Sequence, residues 1–374
     1  MKIVLAFDSF KGSLTAQEAC RVVSSTFASI RPSWKVISKP MADGGEGTSQ
    51  TILSAVHGEW CPCRVMGPLP DRQVEAGYIW FPEDRTALIE MATASGITLI
   101  PESHLNPMLT TTYGTGELMM KALERQPRRI LLAVGGSATV DGGVGAAMAL
   151  GWRFLDAAGR EVELGGNGLE QISQIISPPD CGSLPPIEVL CDVTNPLCGE
   201  RGAAVVYGPQ KGATTDMVRR LDLALSRLAH LMKMRTGRDI AAEPGAGAAG
   251  GLAAGAMAFM GARLVHGVEA VMNVCGVEKA MQGADWVITG EGRLDHQSFQ
   301  GKVVSGIVNA ARRNHVKVAV IAGQIALPER EWRDGGVEQA YGLVMPGTFT
   351  PEMIKQTAQR LENSVRVLAA AMSG

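Results

Sequence analysis

The sequence predicts an α/β fold in which a doubly wound parallel sheet is interrupted by an inserted mixed α/β domain. Three observations carry this. Continuous apolar runs, the mark of strands covered on both faces, alternate with helical periodicity at both ends of the chain, at Ile3–Phe7 and again from residue 285 onward. The middle carries shorter strand-like runs with Pro and charged turns between them. The length of 374 residues exceeds one ordinary core and suits two α/β domains.

Element by element, Ile3–Phe7 is the first strand, followed by the loop Asp8-Ser9-Phe10-Lys11-Gly12-Ser13. Thr15 and Glu18 have capping-box spacing, and Ala19, Cys20, Val23, Phe27 and Ile30 recur at helical intervals. A strand over Trp34–Ser38 leads into Ala42-Asp43-Gly44-Gly45-Glu46-Gly47-Thr48 and a helix through Ile52 and Val56. Val74–Phe81 and Thr86–Met91 read as partly antiparallel strands. Arg129–Val134 and Ile187–Val193 are strands, Thr214–Met234 is an amphipathic helix, and the Gly/Ala-rich stretch Glu243–Arg263 is a close-packed buried helix. The pattern closes with strands at Asp285–Thr289, Lys317–Ala322 and Ala340–Val344, and helices at Gly301–Arg313 and Glu352–Met372. The simplest assembly pairs 1–66 with 285–374 as one discontinuous Rossmann/flavodoxin-like domain around an inserted domain, 67–284. Ligands of such folds sit at the carboxyl ends of strands and between domains.

Composition narrows the function. Hydrophobic residues make up 46% and charged residues 19%, which is globular. A net charge of −2 supplies no basic field for nucleic acid. The apolar amino-terminal run is too short for a signal peptide, and Glu243–Arg263 is too rich in Gly to favour lipid, so a cytoplasmic protein without membrane partners is expected. Seven scattered cysteines without zinc spacing are expected to be reduced thiols. The sequence leaves oligomeric state open, a homo-oligomer included.

Five loops place an acid after an apolar strand, Asp8–Ser13, Asp43–Gly47, Ser137–Gly143, Asp192–Asn195 and Gly290–Asp295, all but Asp192–Asn195 with glycine beside it. Glycine lets backbone amides approach an anion, helix N-termini add positive potential, and carboxylates suit Mg²⁺ or a substrate hydroxyl. One such loop is commonly just a turn; five point to phosphoryl transfer, in which positioning and charge neutralisation dominate. Lys11 is the favoured phosphate cation, against a solvated loop lysine, with Arg293 and Lys302 next. No G-x-x-x-x-G-K-[ST] motif is present. Gly245-x-Gly247-x-x-Gly250 matches the dinucleotide fingerprint literally but follows Glu243-Pro244 rather than a strand, which weighs against a nucleotide-dependent dehydrogenase of small hydroxy acids. Among the six histidines His296, beside Asp295, is the one to test.

The loops Asp8–Ser13 and Ala42–Thr48, with Thr111-Thr112-Tyr113-Gly114-Thr115-Gly116, Gly135–Gly143, Cys191-Asp192-Val193-Thr194-Asn195-Pro196-Leu197 and Gly290–Asp295, resemble the bacterial glycerate kinase family in order and across essentially the whole chain. The resemblance implies ATP-dependent phosphorylation of D-glycerate in an interdomain cleft. The relatives it is most similar to, those of glucarate, galactarate and glyoxylate breakdown, make 2-phosphoglycerate; loop composition alone does not separate this from a 3-kinase making 3-phosphoglycerate. With that substrate, loop chemistry assigns Ser9, Lys11, Gly12 and Ser13, helped by Ser137 and Thr139, to the ATP phosphates. Asp192 orients or deprotonates the glycerate hydroxyl, with Lys11 and Asp295 also placed in the catalytic set. Asp43 and Asp295 hold Mg²⁺ or its waters, and Arg293, with Glu291 and Asn195, takes the glycerate, its planar fork suiting the carboxylate. Asp192 and Asp295 are the pair whose roles are easiest to exchange.

Overall fold

The computed structural model describes residues 1–10, 12–42, 48–56, 58–179, 184–299, 301–344 and 356–372. The expected phosphate cation Lys11, the expected metal ligand Asp43 and the first part of the expected Glu352–Met372 helix lie outside them. The chain divides into two compact units, one of residues 1–43, 50–57 and 266–374, the other of 44–49 and 58–265.

The first unit is built on a five-stranded sheet in the order Gln339–Gly342, Lys317–Ala322, Trp286–Gly290, Lys2–Phe7, Lys35–Ser38, every pairing parallel. Ile3 to Phe7 are all fully buried, as an unbroken apolar run on a parallel strand requires. One face packs Ile3, Leu5, Phe7, Ile288 and Ile321 against Val23 and Phe27 of the helix Ala16–Ile30 and Leu361, Val365 and Leu368 of the helix Thr357–Ala371. The Thr15–Glu18 capping box forms as its spacing predicts: Glu18 N donates to Thr15 Oγ1 (3.2 Å) and Thr15 N to Glu18 Oε2 (2.9 Å).

The second unit carries a six-stranded mixed sheet in the order Arg263–Val265, Ile187–Leu190, Arg129–Ala133, Thr86–Glu90, Gln73–Phe81, Glu59–Met66. The first four are parallel; the last two run antiparallel to their neighbours. Two boundaries differ from the expected 66 and 285. Glu59–Met66 pairs with Gln73–Phe81 from Glu59↔Trp80 to Met66↔Gln73, so this hairpin belongs wholly to the second unit. The helices Gly267–Cys275 and Val277–Met281 bury Val268, Val271, Met272, Val277 and Met281 within the first unit, because their apolar stripes need that sheet and the helix Val303–Asn314 to cover them.

The Glu243–Arg263 stretch is not one helix. A tight turn and the short 3-10 segment Ala248–Gly251 precede the helix Leu252–Met260, and Ala249, Gly250 and Gly251 take left-handed backbone conformations that a continuous helix excludes. Among the described residues no helix is long and apolar enough to cross a membrane.

Candidate functional site

In the first unit the carboxyl ends of two neighbouring strands bring together two of the acid-bearing loops. The parallel register sets Phe7 opposite Gly290, and Asp8 N donates to the Gly290 carbonyl at 2.9 Å, so Asp8 lies next to the buried Glu291. Asp8 Oδ1 accepts from Ser9 N at 2.7 Å. The loop then closes on itself: Ser13 sends both its backbone N–H (2.8 Å) and its hydroxyl (2.9 Å) to the Phe10 carbonyl. Ser13, an expected phosphate donor, thus spends both donors inside its own loop. After Glu291, Arg293–Leu294 pairs with Gln324–Ile325. Arg293 Nε stands 3.7 Å from Asp295 Oδ2, with the two side chains 64% and 30% exposed. Asp295 Oδ1 accepts from Gln297 N at 2.9 Å. His296 sits 3.5 Å from Glu331, and Lys302 Nζ donates to Gln297 Oε1 at 3.2 Å.

The second unit offers a different arrangement. Its parallel strands Arg129–Ala133 and Ile187–Leu190 end side by side, with Ala133 opposite Leu190. Ser137 and Thr139 follow the first; Asp192 and Asn195 follow the second. Ser137 is 9% exposed and Thr139 fully buried, and Thr139 Oγ1 has no hydrogen-bond partner among the described residues. Both are held from beneath by Lys211, whose Nζ donates to Ser137 Oγ (2.6 Å) and to the Thr139 carbonyl (2.7 Å). Asp141, also fully buried, accepts from Thr112 N (2.7 Å), Thr112 Oγ1 (2.8 Å), Gly143 N (3.1 Å) and Gly145 N (3.3 Å). Burial pushes the Asp141 carboxyl above its usual range, with these bonds pulling against it. Burial likewise pulls the Lys211 ammonium down to about 7, with the charge of Asp141 opposing.

Asp192 is exposed at its strand end. Asn195, expected on the substrate, braces its own loop: Nδ2 donates to the Arg201 carbonyl (2.9 Å) and Oδ1 accepts from Tyr207 Oη (2.7 Å). The glycine segment after Pro244 wedges between the two loops. Gly247 N donates to the Asn195 carbonyl and Gly142 N to the Gly250 carbonyl, both at 3.0 Å. At Gly250, with φ +66°, any Cβ would collide with the Thr139 carbonyl. These glycines serve close backbone packing and follow no strand, so the dinucleotide geometry is absent there.

Lys211, Asp141 and Thr112 were given no role by sequence reasoning. The available signal was the lysine set in the turn Gly208-Pro209-Gln210-Lys211-Gly212, away from any amphipathic helix face. Chemically, the strand ends of the second unit join hydroxyl donors, backed by a cation, to an exposed carboxylate. Those of the first unit, taken by themselves, carry a carboxylate beside a guanidinium.

Comparison with known proteins agrees over the full length. The model of the glycerate kinase family matches residues 3–373. A glycerate kinase of Halalkalibacterium halodurans is 43% identical over 99% of this chain and 98% of its own length. The glycerate 2-kinase of Escherichia coli K12 is 42% identical over 100% of this chain and 98% of its own. A crystal structure from Salmonella typhimurium LT2 matches with a TM-score of 0.89 at 41% identity, covering 100% of this chain and 98% of that one. The ordered strand-end loops and these full-length matches lead to one statement: the chain belongs to the glycerate kinase family, and is a phosphotransferase acting on a small-molecule alcohol.

Proposed function

We propose that this chain moves the γ-phosphoryl group of Mg·ATP onto the 2-hydroxyl of D-glycerate. The first unit would be a Rossmann/flavodoxin-like domain and the second an inserted mixed α/β domain. The observation that carries this reading is that Ser137 and Thr139 follow one strand and Asp192 its parallel neighbour, with Ala133 opposite Leu190, at the strand ends where such folds bind ligands. The 2-position is supported by the name of the Escherichia coli relative.

In this reading Ser9, Lys11 and the backbone of Gly12, with Ser137 and Thr139, are the groups for the nucleotide phosphates, while Ser13, whose N–H and hydroxyl both go to the Phe10 carbonyl, shapes its loop. Asp192 accepts the proton of the glycerate hydroxyl as its oxygen attacks the γ-phosphorus, and the bond to the β–γ bridging oxygen breaks. Arg293, whose fork suits a carboxylate, takes the acid end of glycerate, with Glu291 in the same loop, while Asn195, held by Arg201 and Tyr207, shapes the loop after Asp192. Magnesium needs only one or two carboxylates besides its waters and the phosphates. Asp295 fits that need: it is part-exposed, and its Oδ1 takes the Gln297 amide while Oδ2 faces Arg293. Asp43 is the second proposed carboxylate. Bound Mg²⁺ supplies neutralisation of charge on the transferred group.

A coupled ADP-release assay with D-glycerate, followed by phosphorus NMR of the product, tests the reaction and its position. ADP release with a 2-phosphoglycerate resonance is expected; a 3-phosphoglycerate resonance refutes the position, and no release refutes the reaction. Asp192→Asn should lower kcat by about 100-fold or more with an unchanged melting temperature. A kcat within a few-fold of wild type removes Asp192 from that role.

A further inference from the structure

Lys211 is 2% exposed at the end of the short turn Pro209–Lys211, and Gly212 after it sits in the left-handed region, where a side chain would strike the Leu105 carbonyl. The turn is therefore fixed, and it aims a long cationic side chain at one loop. A tie for the fold alone is achieved at lower desolvation cost by a neutral donor. What an ammonium adds is direction. Having protons and no lone pair, it can only donate, so Ser137 Oγ must accept and its own proton must point elsewhere. Burial pulls Lys211 down to about 7 against the charge of Asp141, so this one-way donation belongs to the charged form, the one that dominates below about pH 7. Ser137 keeps part of its surface open, and the loop follows the carboxyl end of Arg129–Ala133.

We propose that Lys211 is a positioning residue for phosphoryl transfer: by donating to Ser137 Oγ it fixes the Ser137 hydroxyl as a hydrogen-bond donor to an anionic ligand oxygen, and through the Thr139 carbonyl it holds the loop in that shape. This rests on the reading of the loop as a phosphate site. The sequence of donors, Nζ–H to Oγ–H to ligand oxygen, polarises the serine and strengthens its outer bond.

The test is a cycle of Lys211→Met, Ser137→Ala and the double variant, with ADP release under Mg·ATP and D-glycerate and thermal unfolding measured in parallel. Each single variant should lose about 100-fold in kcat/KM for ATP. The double variant should lose no more than about threefold beyond the worse single one, because both changes remove the same oriented donor. A Lys211→Met protein that loses stability yet keeps kcat/KM within about threefold overturns the proposal, as do losses that add fully. So does phosphate found covalently on Ser137 by mass spectrometry, since the serine would then be a nucleophile. If Lys211→Met does not fold, Ser137→Ala decides, a loss below about threefold refuting the proposal. Wild-type protein that neither binds Mg·ATP nor releases ADP refutes the phosphate site, and the proposal falls with it. Active wild type with an unaffected Lys211→Met refutes the lysine's role alone.

Discussion

The loops Ser137–Gly143 and Gly290–Asp295 are made of the same residue types and end strands of the same kind, yet they use their polar groups in opposite ways. In the first, Asp141 and Lys211 are both buried and spend their hydrogen bonds on Thr112, Gly143, Gly145, Ser137 and Thr139. In the second, Arg293 and Asp295 keep 64% and 30% of their side chains exposed and touch only loosely. Asp141, covered, braces its own loop, whereas Asp295, part-exposed, is open to a ligand. Burial, not composition, separates the two.

The contrast is open to breakage. The largest effect is expected for Asp141→Ala, which strands a buried lysine and leaves the Thr112, Gly143 and Gly145 amides without their acceptor. A loss of about 3–5 kcal/mol in urea unfolding is expected, and a loss under about 1 kcal/mol would make this loop as loosely held as the other.

Next comes pH. An unfolded lysine titrates near its ordinary value, whereas burial pulls Lys211 to about 7. Between those values the unfolded state holds a proton that the folded state lacks. Wild-type stability relative to Lys211→Met should therefore rise with pH from about 7 toward about 10.4, by at most ~1.4 kcal/mol per pH unit, and stay flat below 7. Parallel pH curves for the two proteins would show that Lys211 does not titrate in this window.

Asp295→Asn should shift stability by no more than about 0.5 kcal/mol while raising the magnesium needed for half-maximal activity about 10-fold. A large stability loss there would erase the distinction between the loops. The smallest effect belongs to His296→Ala, which removes an exposed contact with Glu331 and should change unfolding by less than about 0.5 kcal/mol.

Much of the local structure was legible. Ile3–Phe7 and Lys317–Ala322 are strands because apolar runs of that length have one good way to be covered on both sides. Thr15 and Glu18 announce a helix start because their side chains reach backbone groups within one turn. The glycerate kinase family was likewise readable from ordered motifs. Harder were the edges between units: Glu59–Met66 has the texture of either neighbour, and only its pairing with Gln73–Phe81 assigns it. Ser13 and Asn195 were named as ligand groups because their chemistry permits it, but their hydrogen bonds to Phe10, Arg201 and Tyr207 are made inside their own loops.

By itself the sequence determined most of the strands and helices, though not the break within Glu243–Arg263, where acids and glycines fall at strand ends, and to which family the chain belongs. These depend on neighbours a few residues apart and on the order of motifs. The tertiary structure alone decided that Lys211 lies under Ser137, 74 residues away, and that Gly250 carries the Thr139 carbonyl against its bare Cα. Whether a charged side chain faces water or is sealed beneath a loop depends on what the rest of the chain packs against it, and that covering is set by contacts distant in sequence.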